Sequence, residues 1–300
     1  MQSIIKSVEH DYGTLRQELY ALVGKYPFIH LERLGKTVMG REILALEIGK
    51  RPAYTLYAAA FHGKERITAA VALRFAERIC EAITVGGTIS GISARRMFAD
   101  RGIIIIPMVN PDGCDIAVNG RSGCLHFSDK IEALCGGNFD EWNANGRGVD
   151  INRNFDAGWE LQREIDIADG ILSASPSRYG GAAPESEPET TALTSLCRRK
   201  NIACVMALHT QGEEIYWRYG DNTPKYAERM ARILGASSGY TVTQPQNKAS
   251  HAGFKDWFIN EFGRPGVTVE LGRGTNPLAP EMLDYIYPAA EEMMSLLQVM

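Results

Sequence analysis

Long apolar runs, runs of like charge and paired cysteines are all missing from this chain of 300 residues. No segment approaches the ~20 consecutive apolar residues that a membrane-spanning helix needs. The first twenty residues carry Lys6, Glu9, Asp11, Arg16 and Glu18. They hold no apolar stretch long enough for a secretory leader, so the expected location is the cytoplasm. The net charge of -4 lacks the basic surplus that nucleic acid or an anionic membrane surface would require. None of the six cysteines forms a C-x-x-C pair, which excludes a zinc knuckle and leaves free thiols as the expectation. Gly35-Lys36-Thr37 ends like a phosphate loop, but His30 stands where that loop needs glycine, so nucleotide binding is rejected. Internal repeats and low-complexity linkers are absent too. The expectation is one domain over residues 1–300, with an N-terminal helix in 1–28 packed on it.

What is present is an alternation of strand and helix patterns. Residues 3–25 read as an amphipathic helix, with Ile4, Ile5, Val8, Tyr12, Leu15, Leu19 and Leu22 near one face. Strands are expected at 29–38, 43–49, 54–61, 102–110, 204–208 and 266–272. Helices are expected at 66–82, 184–199, 223–236, 252–261 and 280–298. Ile103 to Ile106 are four consecutive isoleucines, a strand buried on both faces. Asn110-Pro111-Asp112-Gly113 reads as a turn. Residues 111–188 read as irregular, and a loop of that length is usually functional. The pattern predicts an α/β fold: a mixed, mostly parallel twisted sheet flanked by helices.

The chemistry collects at strand ends. His62 and Glu65 follow the 54–61 strand, separated by two residues, where an open α/β sheet places ligands. One tight turn lets an imidazole and a carboxylate reach a single cation. Zinc accepts both donors at roughly 2.0–2.2 Å, and catalytic sites use three protein ligands. Alone, such a pair is more often a capping or solvated pair. His209 at the end of the 204–208 strand offers the third ligand. Glu270 lies between Val269 and Leu271, where an ionised, unpaired carboxylate is costly. It needs a cation or a proton. The pattern is economical if His62, Glu65 and His209 hold one zinc ion with Glu270 beside the metal's water. By ligand type, cobalt or nickel would also be accepted.

This constellation resembles the carboxypeptidase A-type zinc peptidases. Their H-x-x-E motif matches His62-Gly63-Lys64-Glu65, their distant histidine His209 and their late-strand base Glu270. Their carboxylate-binding signature matches Gly148-Val149-Asp150-Ile151-Asn152-Arg153-Asn154. The resemblance runs from about residue 30 to the C-terminus. Three further stretches, Trp142 to Asp150, His209 to Trp217 and Ala252 to Ile259, resemble the branch that cleaves γ-D-glutamyl-diaminopimelate in bacterial wall peptides.

The resemblance implies that Glu270 is the general base and that Asn152 and Arg153 bind a substrate carboxylate. It implies further that Arg147 stabilises the oxyanion and that Asp150 orients His62. Family members with digestive roles carry a loop tyrosine about twenty residues before the base. Here that loop reads Gln244 to His251 without one, and His251 or Lys248 is expected to touch substrate instead. Lys64 and Glu213 read as local surface or loop charges. The implied activity is zinc-dependent hydrolysis of an amide next to a free carboxylate, on small murein-derived peptides, with no nucleic-acid or membrane partner. The rivals are a general metallocarboxypeptidase, an N-acyl amino acid deacylase of the same fold, and a binding module that has lost its chemistry. The last would lack a ligand or the base, and all four residues are present.

Overall fold

Strands that are apolar on both faces need cover on both sides, and this chain supplies it with helices. The computed structural model describes residues 3–6, 9–243 and 251–300. In chain order, α1 (Tyr12–Lys25) leads to β1 (Ile29–Lys36), β2 (Glu42–Ile48) and β3 (Tyr54–Ala59). Next come α2 (Ile67–Val85), a small hairpin of β4 (Thr88–Ile89) and β5 (Ile92–Ser93), α3 (Ala94–Met97) and β6 (Gly102–Ile106). Then follow α4 (Pro111–Asn119), α5 (Ser128–Cys135), α6 (Trp159–Ala168), α7 (Pro188–Arg199) and β7 (Ile202–His209). The chain closes with β8 (Glu214–Tyr216), α8 (Ala227–Ser238), β9 (Thr241–Thr243), α9 (Phe254–Phe262), β10 (Gly266–Glu270) and α10 (Met282–Val299). Among the described residues no helix is long and apolar enough to cross a membrane.

Among the described residues eight strands make one sheet, in the order β1-β2-β6-β3-β7-β10-β8-β9. Its centre, β6-β3-β7-β10, is parallel throughout. The β1-β2, β2-β6 and β10-β8 pairings are antiparallel. The two-residue period of the strands sorts their side chains to opposite faces. Tyr57, Ile103, Ile105, Met206 and Leu208 join a core built from α1, α2, α8 and α10. Leu56, Ala58, Ile104, Ile106, Val205 and Ala207 join a second core with α7 and α9. The layers are therefore helix, sheet, helix, as the alternation predicts.

Several boundaries differ from the expectation. The first helix starts at Tyr12 rather than residue 3. Asp11 caps it by accepting from the Thr14 N–H at 2.7 Å. Upstream, the Ile4 and Ile5 N–H groups donate to the Glu77 carboxylate instead of to a helix. Val8 lies outside the described residues. The Asn-Pro-Asp-Gly turn is the start of α4: Asn110 caps it, and Pro111 fills the first helical position, which needs no N–H. Residues 111–188 thus hold three α-helices and several shorter helical turns, not one irregular loop. Pro188, not Pro184, starts the helix after them, for the same reason. β4 and β5 fall in a stretch given no element from the sequence, while β8 and β9 have three residues each, too few for a period to register.

Asn110 ties this region to the sheet. It is fully buried, and its Nδ2 lies within hydrogen-bond distance of the carbonyls of Phe61, Asn143 and Ala144, at 3.0, 3.2 and 3.1 Å. Its Oδ1 accepts from the Gly113 N–H at 2.9 Å. Asn110→Ala should leave buried carbonyls unpaired and cost about 1–3 kcal/mol. Chemical denaturation would read this as a lower midpoint, and an unchanged midpoint would remove Asn110 from the account.

Candidate metal centre

Three parallel strands at the centre of the sheet deliver the site at their carboxyl ends. β3 ends at Ala59, and Ala60 then takes a left-handed φ of 51°. That conformation costs an L-residue roughly 1–2 kcal/mol. It is held by hydrogen bonds from Ala60 N–H to Thr68 Oγ1 and from Asn110 N–H to the Ala60 carbonyl. The chain then passes through Gly63, where an added Cβ would meet the carbonyl oxygens of Gly113 at 2.3 Å and Trp142 at 2.6 Å. Only glycine fits between His62 and the helical turn carrying Glu65. β7 ends on His209, and β10 ends on Glu270 directly beside it in register.

His62, Glu65 and His209 converge. His62 Nδ1 lies 2.8 Å from Glu65 Oε1, and His209 Nδ1 lies 3.0 Å from Glu65 Oε2. One ligating atom from each falls within 4.8 Å of the others, enough for one metal ion. His62 Nε2 is 3.1 Å from Asp150 Oδ1. An ionised carboxylate only accepts, so Nε2 carries the proton toward Asp150. Nδ1 of a neutral His62 then turns a lone pair on Glu65, a repulsive contact unless a cation or proton lies between them. His209 Nε2 is buried with no hydrogen-bond partner among the described residues. The donor set, two nitrogens and a carboxylate, suits zinc.

The electrostatics describe a site short of positive charge. Burial favours neutral His62, but the Glu65 and Asp150 charges outweigh it and hold its pKa well above the usual value. Burial likewise opposes ionisation of Glu65, and His62 and His209 overcome it, bringing Glu65 down to about 2. Asp150 is held below the ordinary carboxylate range against its burial by His62, by Arg153 and by the Arg178 N–H. Glu270 goes the other way. Burial first, then the Glu65 charge, pushes it up to about 8. A bound cation would replace that repulsion with attraction.

Beside Glu270 opens a cavity of about 250 Å³, also lined by Asn152, Arg153 and His251. Asn152 Oδ1 accepts from the Phe254 N–H at 3.0 Å, which leaves its amide N–H groups for a ligand. Arg153 lies 3.4 Å from Asp166 and 3.9 Å from Asp150, with its side chain a quarter exposed. His251 Nδ1 pairs with the Tyr219 hydroxyl at 3.2 Å. Lys248 and the loop 244–250 lie outside the described residues.

Arg147 is placed differently. Its guanidinium is half-exposed, 3.6 Å from Glu187, and is not among the residues lining the cavity. Its expected oxyanion role finds no support in this placement. Lys64 makes a surface pair with Glu141 at 2.8 Å. Glu213, read as a loop charge, is buried against Arg273 and the Tyr285 hydroxyl. The sequence reading missed Tyr216, Lys255, Asp256 and Thr268 on the cavity wall. The signal for two of them was a Lys-Asp pair inside the apolar run from Phe254 to Ile259.

The family model for zinc carboxypeptidases matches residues 15–295, so the chain belongs to that family and is a peptidase. It is 37% identical over 283 residues to γ-D-glutamyl-L-diamino acid endopeptidase 1 of Lysinibacillus sphaericus, across 94% of this chain and 70% of that protein. Its fold is similar to bovine thrombin-activatable fibrinolysis inhibitor, with a TM-score of 0.76, 19% identity, and 98% and 97% of the two chains covered. It is also similar in fold to murein-tripeptide amidase MpaA from Escherichia coli O157, with a TM-score of 0.55, 20% identity, and 88% and 91% covered.

Asp150→Asn should keep the fold and weaken metal affinity by about 10–100-fold, the usual effect of losing a carboxylate behind a ligating histidine. Competition against a chelating dye measures it; unchanged affinity would remove Asp150 as the orienting partner of His62.

Proposed function

We propose that this chain hydrolyses the amide joining the γ-carboxyl of D-glutamate to meso-diaminopimelate in small murein-derived peptides. It does so in the cytoplasm, with one zinc ion held by His62, Glu65 and His209. The observation that carries the chemistry is the meeting of three ligating groups and Glu270 beside a cavity that also holds Asn152 and Arg153. The substrate is inferred from the relative's diamino-acid specificity, as its name states it.

When bound, zinc supplies a Lewis acid that acidifies water and polarises a carbonyl oxygen. Glu270 takes a proton from the attacking water on a carboxylate oxygen and returns it to the leaving nitrogen. Burial favours the protonated form of Glu270, which helps it take the proton from water. Arg153 offers a planar fork to the free carboxylate next to the scissile amide, and Asn152 a neutral donor beside it. His62 keeps its orientation through Asp150. His251 closes another part of the wall and contacts substrate. Arg147, paired with Glu187, is given no step.

The test is a paired assay on purified protein: L-alanyl-γ-D-glutamyl-meso-diaminopimelate in one tube, the α-linked isomer in the other. Free diaminopimelate should appear only in the first tube and vanish on chelation. Equal cleavage of the α-linked peptide would keep the zinc mechanism and overturn the substrate, making the enzyme a general carboxypeptidase.

A further inference from the structure

At the opposite end of the sheet from Glu270 lies another cavity, of about 530 Å³. It forms where Gly49, Lys50 and Arg51 lead into β3 and where Phe98 leads toward β6. His62 follows the far end of β3, so that strand alone separates the two places by roughly 20 Å. The volume falls within the roughly 300–1,000 Å³ of small-molecule sites. Its apolar wall comes from Phe28 after α1, Ile83 near the end of α2, Ala94 at the start of α3, and Phe98. Phe98 packs so closely on Gly49 that an added Cβ there would meet the ring at 2.5 Å, which fixes this part of the wall. Phe28 is 43% exposed, an aromatic ring left to water beside an apolar hollow.

Besides two glycines, the other lining residues are cations: Lys50, Arg51 and Arg95. All three are exposed, and among the described residues no carboxylate pairs with any of them. On a chain of net charge -4, this gathers unpaired positive charge around one apolar space. Arg51 is held in place. Its Nε donates to the Phe98 carbonyl at 2.8 Å and its Nη1 to the Lys50 carbonyl at 3.0 Å. A guanidinium has five N–H groups, so three are left over. A fork already oriented by two backbone carbonyls loses little freedom on taking a carboxylate, and it can do so with two parallel bonds. Among the described residues that line the cavity, none has a hydroxyl, amide or carboxylate side chain. Nothing there reads the polar edge of a base, a sugar or a peptide.

We infer that this cavity binds one amphipathic anion as a free molecule: a hydrocarbon chain ending in a carboxylate. The chain lies against Phe28, Ile83 and Phe98. Arg51 takes the carboxylate, and Lys50 and Arg95 add attraction around it. Charge complementarity selects the head, and the absence of other polar partners selects a plain hydrocarbon tail. A hollow of this volume takes a single chain, whereas a bilayer surface would need the same groups spread over a convex face. The binding is separate from the hydrolytic site and does not depend on its reading.

The experiment titrates the zinc-loaded enzyme calorimetrically with sodium dodecanoate below its micellar concentration, with dodecanamide, and with octanoate. Dodecanoate should bind one per chain. Dodecanamide should bind about tenfold more weakly or worse, because it lacks the charge. Octanoate, four methylenes shorter, should lose about 10²-fold. The double variant Lys50→Glu, Arg95→Glu changes two exposed side chains. It should weaken dodecanoate by about tenfold or more, with zinc content and melting temperature at wild-type values. Phe28→Ser should weaken it too, while Arg153→Met should bind it like wild type. Absence of binding, or equal affinity for acid and amide, overturns the inference without any variant being needed. Loss of binding in Arg153→Met with the double variant unchanged also overturns it, by moving the ligand to the cavity beside Glu270. Binding to phosphatidylglycerol vesicles without binding of monomeric dodecanoate would overturn it as well, making this face a membrane contact.

Discussion

The structure depends on one carboxylate held between two imidazoles. Glu65 meets Nδ1 of His62 through one oxygen and Nδ1 of His209 through the other. The two histidines come from strands that are neighbours in the sheet, β3 and β7, so this contact joins residues 144 positions apart. It is stable only with positive charge inside it. The raised pKa of His62 and the depressed pKa of Glu65 are two sides of that demand. A bound metal ion meets it better than a proton, because it serves both nitrogens and the carboxylate at once.

The surrounding fold pays for this arrangement with local strain and close packing. Ala60 adopts a left-handed conformation, Gly63 leaves room for two carbonyls, and Asn110 bonds the chain on either side of the site. The parallel register of β7 and β10 puts Glu270 beside His209. The turn from Asp150 to Arg153 then does two things. Asp150 bonds His62 from behind, while Asn152 and Arg153 line the cavity from the same few residues. The candidate metal site and the cavity are thus joined through a short stretch of backbone.

Much of this was legible in the sequence. Buried strands announce themselves through Ile103 to Ile106, and His209 and Glu270 stand out because polar groups at the ends of apolar strands need a reason. The spacing of His62 and Glu65 marked a pair that the structure brings together with His209, and the Asp150 to Asn154 stretch marked residues that reach the cavity wall. Other parts were hidden for physical reasons. Asn110-Pro111 looks the same whether it makes a turn or caps a helix, because both use the fixed φ of proline and the short amide side chain. The helix at Tyr12 starts late because Glu77, far along the chain, captures the N–H groups of Ile4 and Ile5. Arg147 matched its expected role by its place in the motif, but its side chain lies against Glu187, a partner no local pattern reveals. Lys255 and Asp256 reached the cavity wall through the packing of α9 on the sheet.

The most direct test of the central claim is Glu270→Gln, with zinc content and turnover of the γ-linked peptide read on the same sample. The exchange keeps shape and removes the proton acceptor. The account predicts zinc equal to wild type and a rate lower by roughly 10²–10⁴-fold, the scale of a lost acid–base group. Near-normal turnover with zinc in place would contradict Glu270 as the base and, with it, the reading of this strand-end cluster as a hydrolytic site.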